Sequence, residues 1–187
     1  MTKQKLKDAA LTLFAAQGYE GTSIAQIVKE VEIRKSSFYA HFESKAALFL
    51  AVYKDAVAKE LERISGFAAA NSSEKPMDQL REIFMVLTDP ASGGKETHFL
   101  HRILFYPPVE LKMEMQSLFT SMEDRSSEYL QQLLKQCVQG NDRKIDEYVA
   151  AFYAFVDGLS IEAHLYDEPE HLVRRQAVWH VYQRSLN

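Results

Sequence analysis

The sequence predicts an all-α protein of about nine helices, and three observations predict it. Apolar residues recur at helical spacing along nearly the whole chain, and no segment sustains the period-two alternation of a strand. Breakers fall at intervals that leave helix-sized pieces between them: Gly18, Asn71-Ser72-Ser73 before Pro76, Asp89-Pro90 through Gly93-Gly94, Pro107-Pro108, Gly140-Asn141-Asp142, and Asp167 through Pro169. The 187 residues are 47% hydrophobic and 26% charged, with a net charge of −4. That is enough apolar material for a buried core and too little net charge for disorder. No apolar run approaches the ~18 to 20 residues of a membrane span, and the lysine-bearing N-terminus has no hydrophobic signal core behind it. A cytoplasmic protein is expected. The single cysteine, Cys137, excludes an internal disulfide and a cysteine-rich zinc module.

Each helix has its own local reason. In the first, Leu6, Ala9, Ala10, Leu13 and Phe14 make an i, i+3, i+4, i+7, i+8 stripe, and Gly18 can take the left-handed stop. The second starts near Thr22-Ser23, with Gln26 placed for a capping box, and buries Ile24, Ile27 and Val28. A very short connection leads to a third helix with Phe38 and Phe42 at i, i+4, and Ser44 caps a long fourth one running towards Gly66. Further helices are expected over 77–88 and 96–106, then a long one opened by Pro107-Pro108 and reaching Gln139. The last two, roughly 143–166 and 169–185, are apolar around much of their circumference, and Asp167 with Glu170 fits a capping box at the start of the final one.

Charge is unevenly placed. Residues 1–50 carry 7 basic and 5 acidic side chains, whereas the remainder carries 15 basic and 21 acidic ones. A mildly basic head on an acidic body points to an anionic partner at one end. The stretch from Lys5 to Tyr53 names that end. Two short helices joined by a tight turn, the second opening Arg34-Lys35-Ser36-Ser37, describe a helix-turn-helix. Such a helix puts its N-terminal residues in the major groove, where Arg and Lys reach guanine edges and Ser serves either partner. Phe38 and Phe42 lie on its opposite face as anchors, while Tyr39, His41 and Lys45 flank them within reach of phosphates.

The first 50 residues resemble the tetracycline-repressor (TetR) family of bacterial regulators. The match runs from Ala9-Ala10 through Leu13-Phe14, Gly18-Tyr19, Thr22-Ser23 and Ile27, then Lys35, Phe38-Tyr39, His41-Phe42 and Ser44-Lys45 to Leu48. The rest agrees only as a helical body of the expected length. The resemblance implies a homodimer on an approximately palindromic double-stranded DNA operator and an effector pocket in the body. By matching positions, Thr22, Ser23, Tyr39, His41 and Lys45 would hold phosphates, and Lys35, Ser36 and Ser37 would face bases. The chain departs from the family pattern at Glu32, where glycine is usual, at Arg34 (a serine or threonine cap), at Ser36 (glycine) and at Ala40 (a second tyrosine). Arg34, without a capping hydroxyl, is expected to recover that loss through a phosphate or base contact.

Two parts are therefore expected: a DNA-binding head at 1–45, and an effector and dimerisation body at 46–187. The Met and aromatic residues of the body suit an adaptable apolar cavity. Its expected lining is Phe84, Phe99, Ile103, Phe119, Met122, Phe152 and Phe155, which selects a small lipophilic or aromatic effector. The dimer is expected to use Ala154, Gly158, Ile161 and Leu165 of the eighth helix with Trp179 and Tyr182 of the ninth. The function expected is ligand-responsive repression, with no enzymatic activity, cofactor, metal or membrane. Alternatives left open are control by a protein partner and a helical enzyme using Asp157, Glu162 and His164. His98 and His101, at i, i+3, lack a cysteine to complete a metal site, and the stretch from Ser92 to Glu96 lacks the first glycine and hydroxyl of a phosphate loop.

Overall fold

The computed structural model describes residues 2–70, 75–138 and 144–186. Among these it contains nine α-helices: α1 (Thr2–Gly21), α2 (Ile24–Glu30), α3 (Lys35–Tyr39), α4 (Lys45–Ala70), α5 (Pro76–Leu87), α6 (Lys95–Phe105), α7 (Lys112–Cys137), α8 (Ile145–Glu162) and α9 (Glu168–Ser185). A single 3-10 turn, Val109–Leu111, precedes α7. The all-α expectation holds. The expected turns at 71–73 and 140–142, with Gln139 and Arg143, lie outside the described residues.

The caps follow the local chemistry read from the sequence. Gly18 has φ 75°, a conformation that bends the end of α1 and that L side chains rarely adopt. Ser23 and Gln26 make a reciprocal capping box at α2. The Ser44 hydroxyl accepts from the Ala47 amide at 3.0 Å, and the Asp167 carboxylate accepts from the Glu170 amide at 3.1 Å. Three bounds differ from expectation. α4 runs past Gly66 to Ala70, since one exposed glycine costs a helix only about 1 kcal/mol. The 3-10 turn, not Pro108, leads into α7. α8 ends at Glu162, where the amides of His164 and Leu165 turn back to the carbonyls three residues earlier before Asp167 opens α9.

The chain forms two compact units, residues 1–62 with 94–122, and residues 63–93 with 123–187. The first holds α1, α2, α3, the longer part of α4, α6 and the start of α7. It is wider than a three-helix head, because Phe99 of α6 is packed with Phe14 of α1 and Phe49 of α4. The ring centroids of these three lie 5.1, 5.7 and 6.3 Å apart, and all three side chains are fully buried. The edge-on and tilted arrangements suit the ring quadrupoles.

The second unit is built around Phe84, Phe152, Trp179 and Tyr182, with neighbouring rings 5.5 to 6.1 Å apart. This corrects the expectation for two residues. Trp179 and Tyr182 are 2% and 1% exposed, and the Tyr182 hydroxyl donates to the Tyr148 carbonyl at 2.9 Å, so both belong to their own unit's core and not to a dimer face. The same helix brings two basic side chains inside. His171 meets the Leu159 carbonyl at 2.9 Å near the end of α8. Arg175 donates to the Thr88 hydroxyl at 3.0 Å and to the Met85 carbonyl, near the end of α5. Each sits near a helix C-terminus, where the dipole favours positive charge, although the Leu159 carbonyl also accepts from the Ala163 amide at 3.0 Å.

Burial lowers the Arg175 pKa, against a smaller opposing pull from Asp89. The desolvation already spent on the guanidinium offsets part of what its two hydrogen bonds contribute. Arg175→Met, which keeps the stem and removes the donors, should lower unfolding free energy by about 2 kcal/mol. Urea denaturation followed through Trp179 fluorescence measures it.

Candidate nucleic-acid interface

The interface is built upward from a turn that the sequence makes difficult. At the end of α2 the Ile33 amide donates to the Val28 carbonyl at 3.0 Å and the Glu32 amide to the Lys29 carbonyl at 3.1 Å. This nested pair is a Schellman closure, with Glu32 at the left-handed position and φ 57°. Buried Val28 and part-buried Ile33 belong to the same apolar core, the contact that usually accompanies the motif. Glycine is the ordinary occupant because a Cβ there costs about 1–2 kcal/mol. Glu32 is thus a strained residue at the entrance to the recognition helix, held by the packing on either side.

α3 has only five residues, and its N-cap, Arg34, makes no side-chain capping bond. Packing holds it instead. Phe38 is fully buried and Phe42 6% exposed, and the Phe42 amide continues the ladder to the Phe38 carbonyl at 3.0 Å. With these rings turned inward, Arg34, Lys35 and Ser36 are exposed at the start of the helix and Ser37 is half-buried. Tyr39 is 51% exposed and lies edge-on to Phe38 at 5.3 Å. His41 and Ser23 are also exposed. These seven side chains are carried on one compact unit.

Thr22 and Lys45, expected on phosphates, both bond within the head: Thr22 is buried there and Lys45 is half-buried. Thr22 is 1% exposed and its hydroxyl donates to the Gly18 carbonyl at 2.8 Å. The Lys45 ammonium donates to the carbonyls of Tyr19 (2.8 Å) and Thr22 (3.1 Å) and sits 4.0 Å from the centroid of the Tyr19 ring. It thereby satisfies carbonyls at the bent end of α1. No spacing rule separates a lysine aimed at a phosphate from one aimed at a helix end, so this role was not legible in the sequence.

α6 is tied to the same unit at several points. Lys59 pairs with Glu96 at 2.7 Å, Thr97 donates to Glu60 at 3.1 Å and Lys95 to Thr12 at 3.3 Å. The Arg102 guanidinium lies against Gly18, where an added Cβ would meet its Nε at 3.4 Å. Past the end of α6, the Tyr19 hydroxyl donates to Glu110 at 2.6 Å, and burial followed by that carboxylate raises the Tyr19 pKa. Burial pushes the Glu96 pKa up, but the hydrogen bond from Lys59, a backbone hydrogen bond and the charges of Lys59 and Lys95 together outweigh it, and the net shift is downward. The pair therefore stabilises the fold above the carboxylate's ordinary pKa, and that contribution is lost as pH falls through the lowered one.

The seven residues expected to line an effector cavity are not gathered in one core. Phe99 and Ile103 are buried in the first unit, and Phe84 and Phe152 in the second, where they pack at 5.7 Å. Phe155 packs part-buried on the second core, Phe119 is 37% exposed, and the Met122 side chain lies outside the described residues. Of the expected dimer residues, Ala154, Gly158, Ile161 and Leu165 are exposed. Glu162 pairs with Arg174 at 3.3 Å, and His164 is exposed. Cys137 is half-buried and its thiol is pushed up to about 11 by burial, so it stays protonated at neutral pH. Among the described residues no helix is long and apolar enough to cross a membrane.

Comparison with known proteins gives the class. Residues 6–52 match the tetR family of bacterial regulatory proteins, and residues 75–185 match the tetracyclin repressor-like C-terminal domain. The chain belongs to the tetR family. Residues of the head are 47% identical, over 47 positions, to the biofilm operon icaADBC HTH-type negative transcriptional regulator IcaR of Staphylococcus aureus strain Newman, a match that covers 25% of each chain. The chain is 27% identical over 145 residues to the HTH-type transcriptional regulator AcrR of Shigella flexneri, covering 74% of this chain and 65% of that one. Among solved structures, a transcriptional regulator from Saccharomonospora viridis in complex with choline aligns with a TM-score of 0.75 at 19% identity, covering 94% and 92% of the two chains.

The missing cap and the exposed charge meet at Arg34. Arg34→Ser supplies a capping hydroxyl and should raise unfolding free energy by about 1 kcal/mol in urea denaturation. If Arg34 also meets DNA, the same variant should bind duplex DNA more weakly than wild type in a gel shift. A gain in stability with unchanged binding would confine Arg34 to the fold.

Proposed function

We propose that the protein is a ligand-responsive repressor that binds a palindromic operator as a symmetric dimer. The observation that carries this reading is α3 itself. Its apolar side chains are spent on the core, and Arg34, Lys35, Ser36, Tyr39 and His41 are left exposed on one compact unit. Lys35, Ser36 and Ser37 are the residues assigned to base edges, and Ser23, Tyr39 and His41 to phosphates. Bound across one face of the duplex, two such helices stand about 34–36 Å apart in successive major grooves and exclude the transcription machinery.

A second copy is supported by an unspent apolar surface on α8, α9 and the turn between them. Leu165 is 71% exposed, Val173 and Val181 are each 60% exposed, and Ile161 and Leu172 about 40%. Ala154 and Gly158 on α8 continue it, and a Cβ at Gly158 would meet nothing within 4 Å in its own chain. A protein rarely leaves so many large aliphatic side chains in water unless another surface covers them.

The releasing signal in this reading is a small lipophilic or aromatic molecule; the neighbour from Saccharomonospora viridis, which holds the polar cation choline, supports a small-molecule signal but not that polarity. The response runs through α6. Because α6 shares a core with α1 and is tied to α4 through Glu96, a displacement of α6 must carry strain into the helices that support α3. An effector then needs only to favour the displaced arrangement to shift the population away from DNA.

The experiment is a gel shift on the DNA upstream of the chain's own gene, repeated while hydrophobic compounds are titrated and Trp179 fluorescence is followed. A compound that changes the fluorescence and releases DNA together supports the reading. Binding of a compound with unaltered DNA affinity would sink the coupling, and release only by a protein fraction would favour control by a partner. The dimer is tested separately: Gly158→Leu should give monomers by light scattering and abolish operator binding, whereas a fully dimeric variant places the interface elsewhere.

A further inference from the structure

We propose that Lys3, in the first turn of α1, is an additional phosphate contact of the head, which neither the helix-turn-helix motif nor its neighbouring residues assign. The inference rests on the DNA-binding reading above and adds a residue from outside the motif. Lys3 is exposed, and its ammonium lies 5.4 Å from the centroid of the Phe42 ring. Phe42 is buried, its ring lies tilted against Phe38 at 6.1 Å, and Tyr39 lies edge-on to Phe38 at 5.3 Å. A cation held over a ring that cannot move is itself localised. The first turn of α1 thus brings its charge to the far end of the recognition segment, beside His41.

Other lysines of this unit are spent differently. Lys7 pairs with Asp55, Lys59 with Glu96, Lys45 with two carbonyls, and Lys95 with Thr12. Lys3 has no carboxylate partner among the described residues. With Arg34 at the other end, positive charge stands at both ends of the segment 34–42. Charge at both ends suits a helix seated between two phosphate walls. Lys3 would hold its wall as a point charge, without reading sequence.

The test is fluorescence anisotropy of the full chain with two duplexes of about 30 base pairs, roughly three helical turns, one from upstream of its own gene and one scrambled. Salt is varied over about 50 to 200 mM. Lys3→Ala should reduce the slope of log affinity against log salt by about 0.9 per protomer, equally on both duplexes. Lys3→Arg should keep the wild-type slope, and Lys5→Ala, equally exposed but with no ring beneath it, should lose less than Lys3→Ala. An unchanged slope for Lys3→Ala overturns the assignment, as does an equal loss from Lys5→Ala, which would mean diffuse charge. A lowered unfolding temperature with an unchanged slope would make Lys3 a brace for Phe42 only. Wild-type chain that binds neither duplex overturns the DNA-binding reading itself, an outcome visible before any variant is measured.

Discussion

The contact on which the rest of the head depends is the meeting of three phenylalanine rings, Phe14, Phe49 and Phe99, from three helices far apart in sequence. Each is fully buried, and removal of any one would open a hole of the kind that costs about 3–5 kcal/mol. Around this triad the polar ties follow as consequences. Once α1 and α6 are in contact, Tyr19 lies within reach of Glu110, Lys95 of Thr12 and Arg102 of Gly18. These bonds are partly exposed and individually weak, so they set register and orientation while the rings supply most of the cohesion.

The recognition helix depends on this scaffold more than helices usually do. Five residues are too few to be stable in water alone, its first turn lacks a cap, and the turn before it carries a glutamate at φ 57°. Burial of Phe38 and Phe42 outweighs these local costs. The local and global preferences disagree at the place where the surface must remain polar and charged, which is where such conflicts are expected.

What could be read from the sequence divides along the same line. The caps at Ser23, Ser44 and Asp167, the stop at Gly18 and the anchors Phe38 and Phe42 were legible, because each depends on neighbours within a few positions. The inward turn of Thr22 and Lys45, and of Trp179 and Tyr182, was not. Helical periodicity gives a face for each side chain, and it does not say whether that face meets water, DNA or another helix of the same chain. Nor does periodicity assign a core: Phe84 and Phe99 have equal claims to a pocket in the sequence, and each fills a different core. The place of Lys3 was not legible either, because its partner ring is 39 positions away.

The wide boundary of the first compact unit matters for anyone who would recombine regulators of this kind. A chimera cut after residue 52, where the tetR-family match ends, would carry Phe14 and Phe49 into a foreign body and leave Phe99 behind. The transplanted head would then present two rings to whatever residue the new sixth helix happened to supply. Transferable specificity in this protein is therefore a discontinuous cassette, residues 1–62 together with 94–122. Exchange between relatives should succeed in proportion to how well the incoming sixth helix reproduces one aromatic side chain.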